Sequence, residues 1–297
     1  MISIIICSAK SEVLAVLKKN IEETVGIQHE IISIDNSQAK KGICSIYNQG
    51  ALQARYTNLC FVHEDVRFET FNWGKIVCTH LEDNKTGLIG LAGGDTKGPL
   101  PTSWSVSILS NEINIVQHYK NGKNPEHIVK SRQPGALKSQ VVALDGVFLC
   151  TRKDVFDEFK FDENTFTGFH GYDIDYSLQV GTKYNLYVIF DIVVHHYSEG
   201  SADRSWVKSA FLISKKWQER LPVSVHDLSA YEMNYYYWRS MQISLQKMFE
   251  LNFPVYKIFA YYLLFSWSKY FRIRRFLSMG KYILLRFTSH KSLKGTV

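Results

Sequence analysis

The stretch Asn58–Phe68, NLCFVHEDVRF, decides the fold. Leu59 to Val62 form a short apolar run, the signature of a strand buried on both faces. The run stops at His63, Glu64 and Asp65. Charged groups at the end of a buried strand cost free energy unless they are paired or bind something. In open α/β sheets, ligands gather at the carboxyl ends of strands. The segment therefore reads as a core strand delivering acidic side chains into a cleft. Hard oxygen ligands there suit a divalent cation that carries substrate phosphates. A solvated turn after a strand is the alternative reading of the same residues.

The flanking sequence alternates strand-like and helix-like segments. Ser3–Cys7 reads as a strand, and Ser11–Val25 as a helix with Ser11 at its N-cap and Val13, Leu14, Leu17 and Ile21 at helical spacing. Glu30–Ile34 is a second strand, ending at Asp35-Asn36-Ser37. Ile43–Arg55 is a second helix, with Ile43, Ile46, Tyr47, Ala51 and Ala54 on one face. Thr86–Leu91 is a further strand. This βαβαβ rhythm predicts an α/β fold around a parallel sheet of the nucleotide-binding type. Gly93–Ser103 and Tyr119–Gln140 are polar and rich in Gly and Pro, which predicts long loops of the kind used for binding. Val141–Cys150 is strand-like, broken at Asp145-Gly146, and Tyr184–His196 carries the last clear strand signal. From about Ser205 the pattern is helical and aromatic, so the expected division is a main domain over 1–205 and a helical region over 206–297.

A chain of 297 residues can bury a sizeable core as one large domain with an appendage. Cys7, Cys44, Cys60, Cys78 and Cys150 are an odd set without regular spacing, which argues for reduced thiols and a cytosolic setting. MISIIICSAK lacks a basic leading region and reads as a first strand, not a signal peptide. The net charge of +7 is unevenly placed. No acid follows Glu250, and the nine Lys and Arg beyond it leave the first 250 residues at −2. Within this tail, the longest uncharged run is Ile258–Ser268, short of the roughly 20 apolar residues a membrane span needs. Arg272, Arg274, Arg275, Lys281 and Arg286 alternate with Phe271, Ile273, Phe276, Leu277, Tyr282, Ile283, Leu284 and Leu285. Basic, aromatic amphipathic helices of this kind lie on anionic membranes. The alternative is a packed helical appendage or a homo-oligomer contact. Nucleic acid is not an expected partner, because the body of the chain is not basic.

The first turn, Ser8-Ala9-Lys10-Ser11, has no G-x-G-x-x-G, and no G-x-x-x-x-G-K-S/T occurs, which argues against dinucleotide dehydrogenases and P-loop enzymes. Acids or histidines instead recur at strand ends: Asp35, His63-Glu64-Asp65, Asp173 with Asp175, and His195-His196. Asp35 fits ribose binding or plain turn chemistry. Asp173 and Asp175 open a predicted helix, where capping and the helix dipole favour acids. Asp173 also follows Gly171 and a run of Phe and Tyr that reads as a site wall. Two imidazoles at a strand end before Ser198 and Gly200 are candidate ligands.

The ordered motifs IDNS, YNQGALQA, LCFVHEDVRF, LDGVFL, FDENTFTGFHGYDID and VVHHYSEGS resemble those of GT-A glycosyltransferases, and most resemble the family-2-like bacterial enzymes, over roughly residues 1–205. The resemblance implies a Rossmann-like, mixed but mainly parallel sheet flanked by helices. It implies donor contacts from Asp35, Asn48, Glu64, Asp65 and Asp145, with Asp65 as the metal-binding carboxylate of the D-x-D region. Asp173 becomes the catalytic base of an inverting reaction, and His196, with His195 as second candidate, the late metal ligand. Trp104, His170, Tyr172 and Asp175 become acceptor or wall residues. The implied cofactor is Mn²⁺ or Mg²⁺. The implied donor is a nucleotide sugar, a UDP-sugar favoured, and the acceptor is a saccharide or lipid-linked glycan. The setting is the cytoplasmic membrane face, in cell-surface polysaccharide or glycan synthesis. The chain departs from the pattern twice: His63 stands where the first Asp of D-x-D is usual, and Tyr172 where a Glu before the base is usual. Those departures keep a catalytically inactive, donor-binding scaffold in view. A nucleotidyltransferase on a similar sheet is the third class.

Overall fold

In the computed structural model, which describes residues 1–200 and 202–294 and side chains up to Arg286, the chain forms two compact units. One comprises Met1–Lys97, Ser103–Ser201 and Val223–Val225, and the other Gly98–Thr102, Ala202–Pro222 and the chain from His226. Ser201 of the last motif, residues 295–297 and the side chains of Lys291 and Lys294 lie outside the described set.

The first unit runs β1 (Ile2–Ser8), α1 (Ser11–Thr24), β2 (His29–Asp35), α2 (Ile43–Gln53), β3 (Asn58–His63), β4 (Val66–Phe68) and α3 (Trp73–Leu81). There follow β5 (Thr86–Gly90), β6 (Ala92–Gly94), β7 (Thr96–Lys97), β8 (Asn111–Gln117), β9 (Glu126–Lys130), β10 (Lys138–Val141), β11 (Ala143–Leu144) and β12 (Phe148–Arg152). The unit continues with α4 (Lys153–Glu158), α5 (Tyr172–Val180), β13 (Asn185–Ile189) and β14 (Val194–His196), and β15 (Val223–Ser224) pairs with β7.

The main sheet has the order β10-β13-β5-β12-β3-β1-β2. The expected parallel core is present as β2-β1-β3 and again as β5-β13. β12 runs antiparallel between β3 and β5, which makes the sheet mixed. Leu59, Cys60, Phe61 and Val62 are all fully buried in it, as an apolar run in a sheet covered on both faces requires. α2 lies so close to β1 that a Cβ on Gly50 would stand 2.4 Å from the Ile5 side chain. A second sheet, β11-β6-β8-β14-β4 with β9 on β8, sets β14 beside β4 and so brings His196 level with Val66.

Three local expectations change. Gly93–Ser103 and Tyr119–Gln140 are not plain loops but contain β6 and β7, and β9 and β10. Gly-rich β6 pairs tightly, since a Cβ on Gly93 would lie 2.6 Å from the Ala143 carbonyl. β9 is an edge strand and exposes polar side chains, so its sequence lacks a buried face. Ser11 is the first helical residue of α1 and not its cap. Lys10 takes that place without a side-chain bond, and Glu64 accepts from the Ala9 and Lys10 amides instead.

The second unit is helical: α6 (Arg204–Lys216), α7 (Ala230–Glu250), α8 (Val255–Ser266) and α9 (Ile273–Lys294). A reciprocal Ser229–Glu232 capping box starts α7. Trp238, Met241, Leu245, Met248, Ile258, Tyr262 and Ile283 form its core. Among the described residues no helix is long and apolar enough to cross a membrane.

Arg132 closes the loop after β9 by pairing with two buried carboxylates, Asp95 at 2.7 Å and Glu112 at 3.0 Å. Arg132→Met strips both of this partner, and breaking a buried ion pair from one side costs about 3 kcal/mol. Urea denaturation will show that loss, with a midpoint shift well beyond that of the exposed control Lys120→Met.

Candidate active site

β1 and β3 run in parallel register and place Cys7 opposite His63, so both strands end at one edge. The antiparallel β12 begins there, and the His63 amide donates to the Val147 carbonyl at 3.2 Å. Asp145-Gly146-Val147 is thereby held against the HED turn. Tyr172, the first residue of α5, is buried among Tyr47 and Phe161 with its hydroxyl aimed at this junction. The hydroxyl donates to the Gly146 carbonyl at 3.0 Å and meets His63 Nε2 at 2.7 Å. Its proton being committed to the carbonyl, it accepts from His63, which assigns the ring proton to Nε2 and leaves Nδ1 with a lone pair. Burial holds the His63 imidazole below its ordinary range, so the ring is neutral.

His196 is oriented the same way from the other side. Gln117 Nε2 donates to the carbonyls of His118, His196 and Ser198. Its Oε1 therefore faces His196 Nδ1, at 3.2 Å, and takes that proton. His196 Nε2 then faces Asp65 Oδ1 at 3.8 Å, too far for a hydrogen bond. Asp65 Oδ1 is buried and has no hydrogen-bond partner. His63, Asp65 and His196 offer ligand atoms within 4.8 Å of one another. Two imidazoles, each oriented by a bond to its other ring nitrogen, beside a buried carboxylate oxygen without a hydrogen-bond partner, are a donor set that fits a divalent cation.

Across the same turn stand two acids. Asp145 accepts from Trp104 Nε1 at 2.7 Å and from the Val147 amide at 2.9 Å. Asp173 accepts from the Gly146 amide at 3.1 Å. Burial first, and then the charge of Asp145, push the Asp173 carboxyl up to about 7. A carboxylate at that value can take a proton near neutral pH.

The other expected residues fall in different places. His195 is not with Asp65: along β14 its side chain alternates to the opposite face from His196. There it bonds Glu69 at 2.8 Å and His118 at 2.9 Å. His63 stands with Asp65 and His196 in its stead. Glu64 accepts from Ser8 Oγ at 2.7 Å as well as from the Ala9 and Lys10 amides, so this carboxylate oxygen pins the first turn. Asn48 exchanges bonds with the Phe161 backbone, at 2.9 and 3.1 Å, and ties α2 to the segment before α5. Asp35 is exposed at the end of β2, and bonds from Ser37 hold its carboxyl low. Asp175 is buried and bonded to Gln179 at 2.8 Å, inside the fold and not on a wall. His170 packs on Phe169, whose ring, 55 % exposed, in turn faces His63 and Tyr172. Gln117 and Gly146 carried no expected role, and Phe169 stood only within the Phe and Tyr run that reads as a site wall. Only the LDG motif held a trace of Gly146, and Gln117 reaches the site through sheet pairing alone.

A family model described as "Glycosyltransferase like family" matches residues 3–220. No curated protein matches the sequence. Among solved structures, GalNAc-T7 with UDP, GalNAc and Mn²⁺ shares the fold at a TM-score of 0.50 and 11 % identity, over 86 % of this chain and 58 % of that one. The chain thus spans less than two thirds of that relative. The mannosyltransferase PcManGT from Pyrobaculum calidifontis, in complex with GDP-Man and Mn²⁺, matches at 0.46 and 10 % identity, over 100 % and 88 % of the two chains. S. aureus TarS 1-349 with UDP-GlcNAc matches at 0.46 and 10 %, over 90 % and 73 %.

A Cβ on Gly146 would stand 1.9 Å from the Tyr172 hydroxyl. Gly146→Ala therefore displaces Tyr172, with an overpacking cost of about 1–3 kcal/mol. Paired with Tyr172→Phe, which removes the clashing oxygen, the alanine should cost less than it does alone. A double-mutant cycle on unfolding free energies checks this.

Proposed function

The chain belongs to the glycosyltransferase-like family, and from that premise we propose that it transfers a sugar from a nucleotide-sugar donor, a UDP-sugar by preference, to a saccharide or lipid-linked acceptor. The transfer inverts the anomeric centre. The observation that carries this reading is the pairing, around Gly146, of a carboxyl pushed up to about 7 with a cation-fitting donor set.

His63, Asp65 and His196 would hold the cation. Carboxylate suits Mg²⁺ and Mn²⁺ and imidazole suits transition metals, so this mixed set favours Mn²⁺. When bound, the ion supplies charge stabilisation to the departing nucleoside diphosphate. Tyr172 and Gln117 keep the two imidazoles in their ligating tautomers. Asp173 takes the proton from the acceptor hydroxyl as that oxygen attacks the anomeric carbon, and the carbon–oxygen bond to the diphosphate breaks on the opposite face. Trp104 fixes Asp145 beside that carbon, and Phe169 offers an apolar wall to a sugar ring. Glu64 and Asn48 act as positioning residues, while Asp35 is placed for the nucleoside.

We place this activity on an anionic membrane surface reached through the basic tail, in the making of a bacterial cell-surface glycan.

Asp173→Asn should lower kcat by about 10²–10⁴-fold. Wild-type turnover should climb as pH rises through about 7, as Asp173 loses its proton. Stability runs the other way. A carboxyl whose folded value lies above its unfolded value of about 4 holds its proton more tightly in the fold, so ionising it on going from pH 4 to 7 destabilises the protein. The Asn variant should therefore be as stable as wild type, or more so, above pH 7. Near-normal turnover by a folded Asp173→Asn protein would remove the base assignment.

Calorimetric titration with Mn²⁺ tests the cation set. Asp65→Ala and His196→Ala should each weaken binding by more than tenfold, Gln117→Ala by about 10–100-fold, and His195→Ala should leave it unchanged. Equal effects of His195 and His196 would sink the assignment.

A further inference from the structure

The helical unit contains a cleft of about 240 Å³ between α7 and α9 that the sugar-transfer reading does not use. Its walls include Tyr235, Trp238, Arg239 and Gln242 from α7, and Arg275 and Tyr282 from α9. Residues 275, 278, 279 and 282 recur at helical spacing, so one stripe of α9 faces the cleft. Two arginines line it and no carboxylate does. Among the described residues Arg239 bonds the neutral Gln242, at 2.8 Å, and Arg275 forms no ion pair. The Tyr282 hydroxyl is buried without a hydrogen-bond partner. Two guanidinium forks are the donors that hold a phosphate.

The same unit presents an unusual outer surface. On α8, Tyr256, Phe259, Leu263 and Leu264 are exposed, and just past its end so is Trp267, by 92 %. On α9, Ile273, Leu277, Leu284 and Leu285 are exposed as well, interleaved with Arg274 and Lys281. Aromatic and aliphatic side chains left in water beside cations, with no acid after Glu250, complement an anionic lipid surface.

We propose that the α7–α9 cleft binds the phosphate of a membrane lipid headgroup, Arg239 and Arg275 gripping its oxygens while the exposed apolar residues of α8 and α9 enter the acyl boundary. This deepens the membrane reading above and rests on it.

The test uses the full chain and two double variants: Arg239→Gln/Arg275→Gln in the cleft, and Arg274→Gln/Lys281→Gln outside it. Sedimentation with phosphatidylcholine vesicles, with and without phosphatidylglycerol, checks the membrane reading by itself. No binding of wild type to the anionic vesicles overturns that reading. Dihexanoyl phosphatidic acid, used below its micelle concentration, then probes the cleft by calorimetry, with inorganic phosphate as the second ligand. A soluble lipid senses the cleft and not the surface charge. Wild type and the outer variant should bind it with one saturable site, and the cleft variant should lose at least about tenfold, one factor of ten being 1.4 kcal/mol. Inorganic phosphate should bind more weakly than the lipid. Equal binding by all three proteins overturns the cleft assignment while leaving the vesicle result standing. Inorganic phosphate binding as tightly as the lipid makes this a free-phosphate site and overturns the lipid assignment. Circular dichroism of both variants confirms that they are folded.

Discussion

The hydroxyl of Tyr172 is the atom on which the site depends. It donates to the Gly146 carbonyl and accepts from His63, so it joins the start of α5, the turn before β12 and the end of β3. Buried hydroxyls are costly when unpaired, and this one is fully used. Gly146 serves from both sides: its carbonyl fixes Tyr172 and its amide fixes Asp173. Only a residue without a Cβ fits between them. The acid and the imidazole-carboxylate group are therefore positioned by one small junction and not by separate loops.

The three residues that end β3 divide their labour because a strand end followed by a tight turn points consecutive side chains apart. His63 turns toward Tyr172, Glu64 toward the first turn of α1, and Asp65 toward His196. Glu64 also does for α1 what a local cap does elsewhere, since it accepts from amides before the helix start. His63 stands where an acid is usual in the motif the chain resembles, and burial holds its imidazole below the ordinary range. An imidazole there in place of an acid keeps a further negative charge away from Asp173, whose ionisation burial and the charge of Asp145 already make costly.

The helical unit follows a different economy. Its inner stripe is aromatic and well packed, with Tyr237, Trp238 and Tyr262 each burying a ring while sending a polar atom to a backbone carbonyl. Its outer stripe keeps large apolar side chains in water, which a chain evolved only for solubility would replace with charge.

By itself the sequence determined the parallel core β2-β1-β3, the helix carrying Asp173 and the helical character of the chain beyond Ser205, because each rests on a local period or an unbroken apolar run. It also marked Asp65, His196 and Asp173 as candidates near element ends. Only the tertiary structure decided that His63 and not His195 joins Asp65. Adjacent residues on a strand face opposite sides, and which side meets β3 depends on the pairing of β14 with β4 and β8, residues far apart in the chain. The same is true of Gln117 and of the strands hidden in Gly93–Ser103 and Tyr119–Gln140. Their roles come from hydrogen bonds to distant partners, and such bonds leave no period in the sequence.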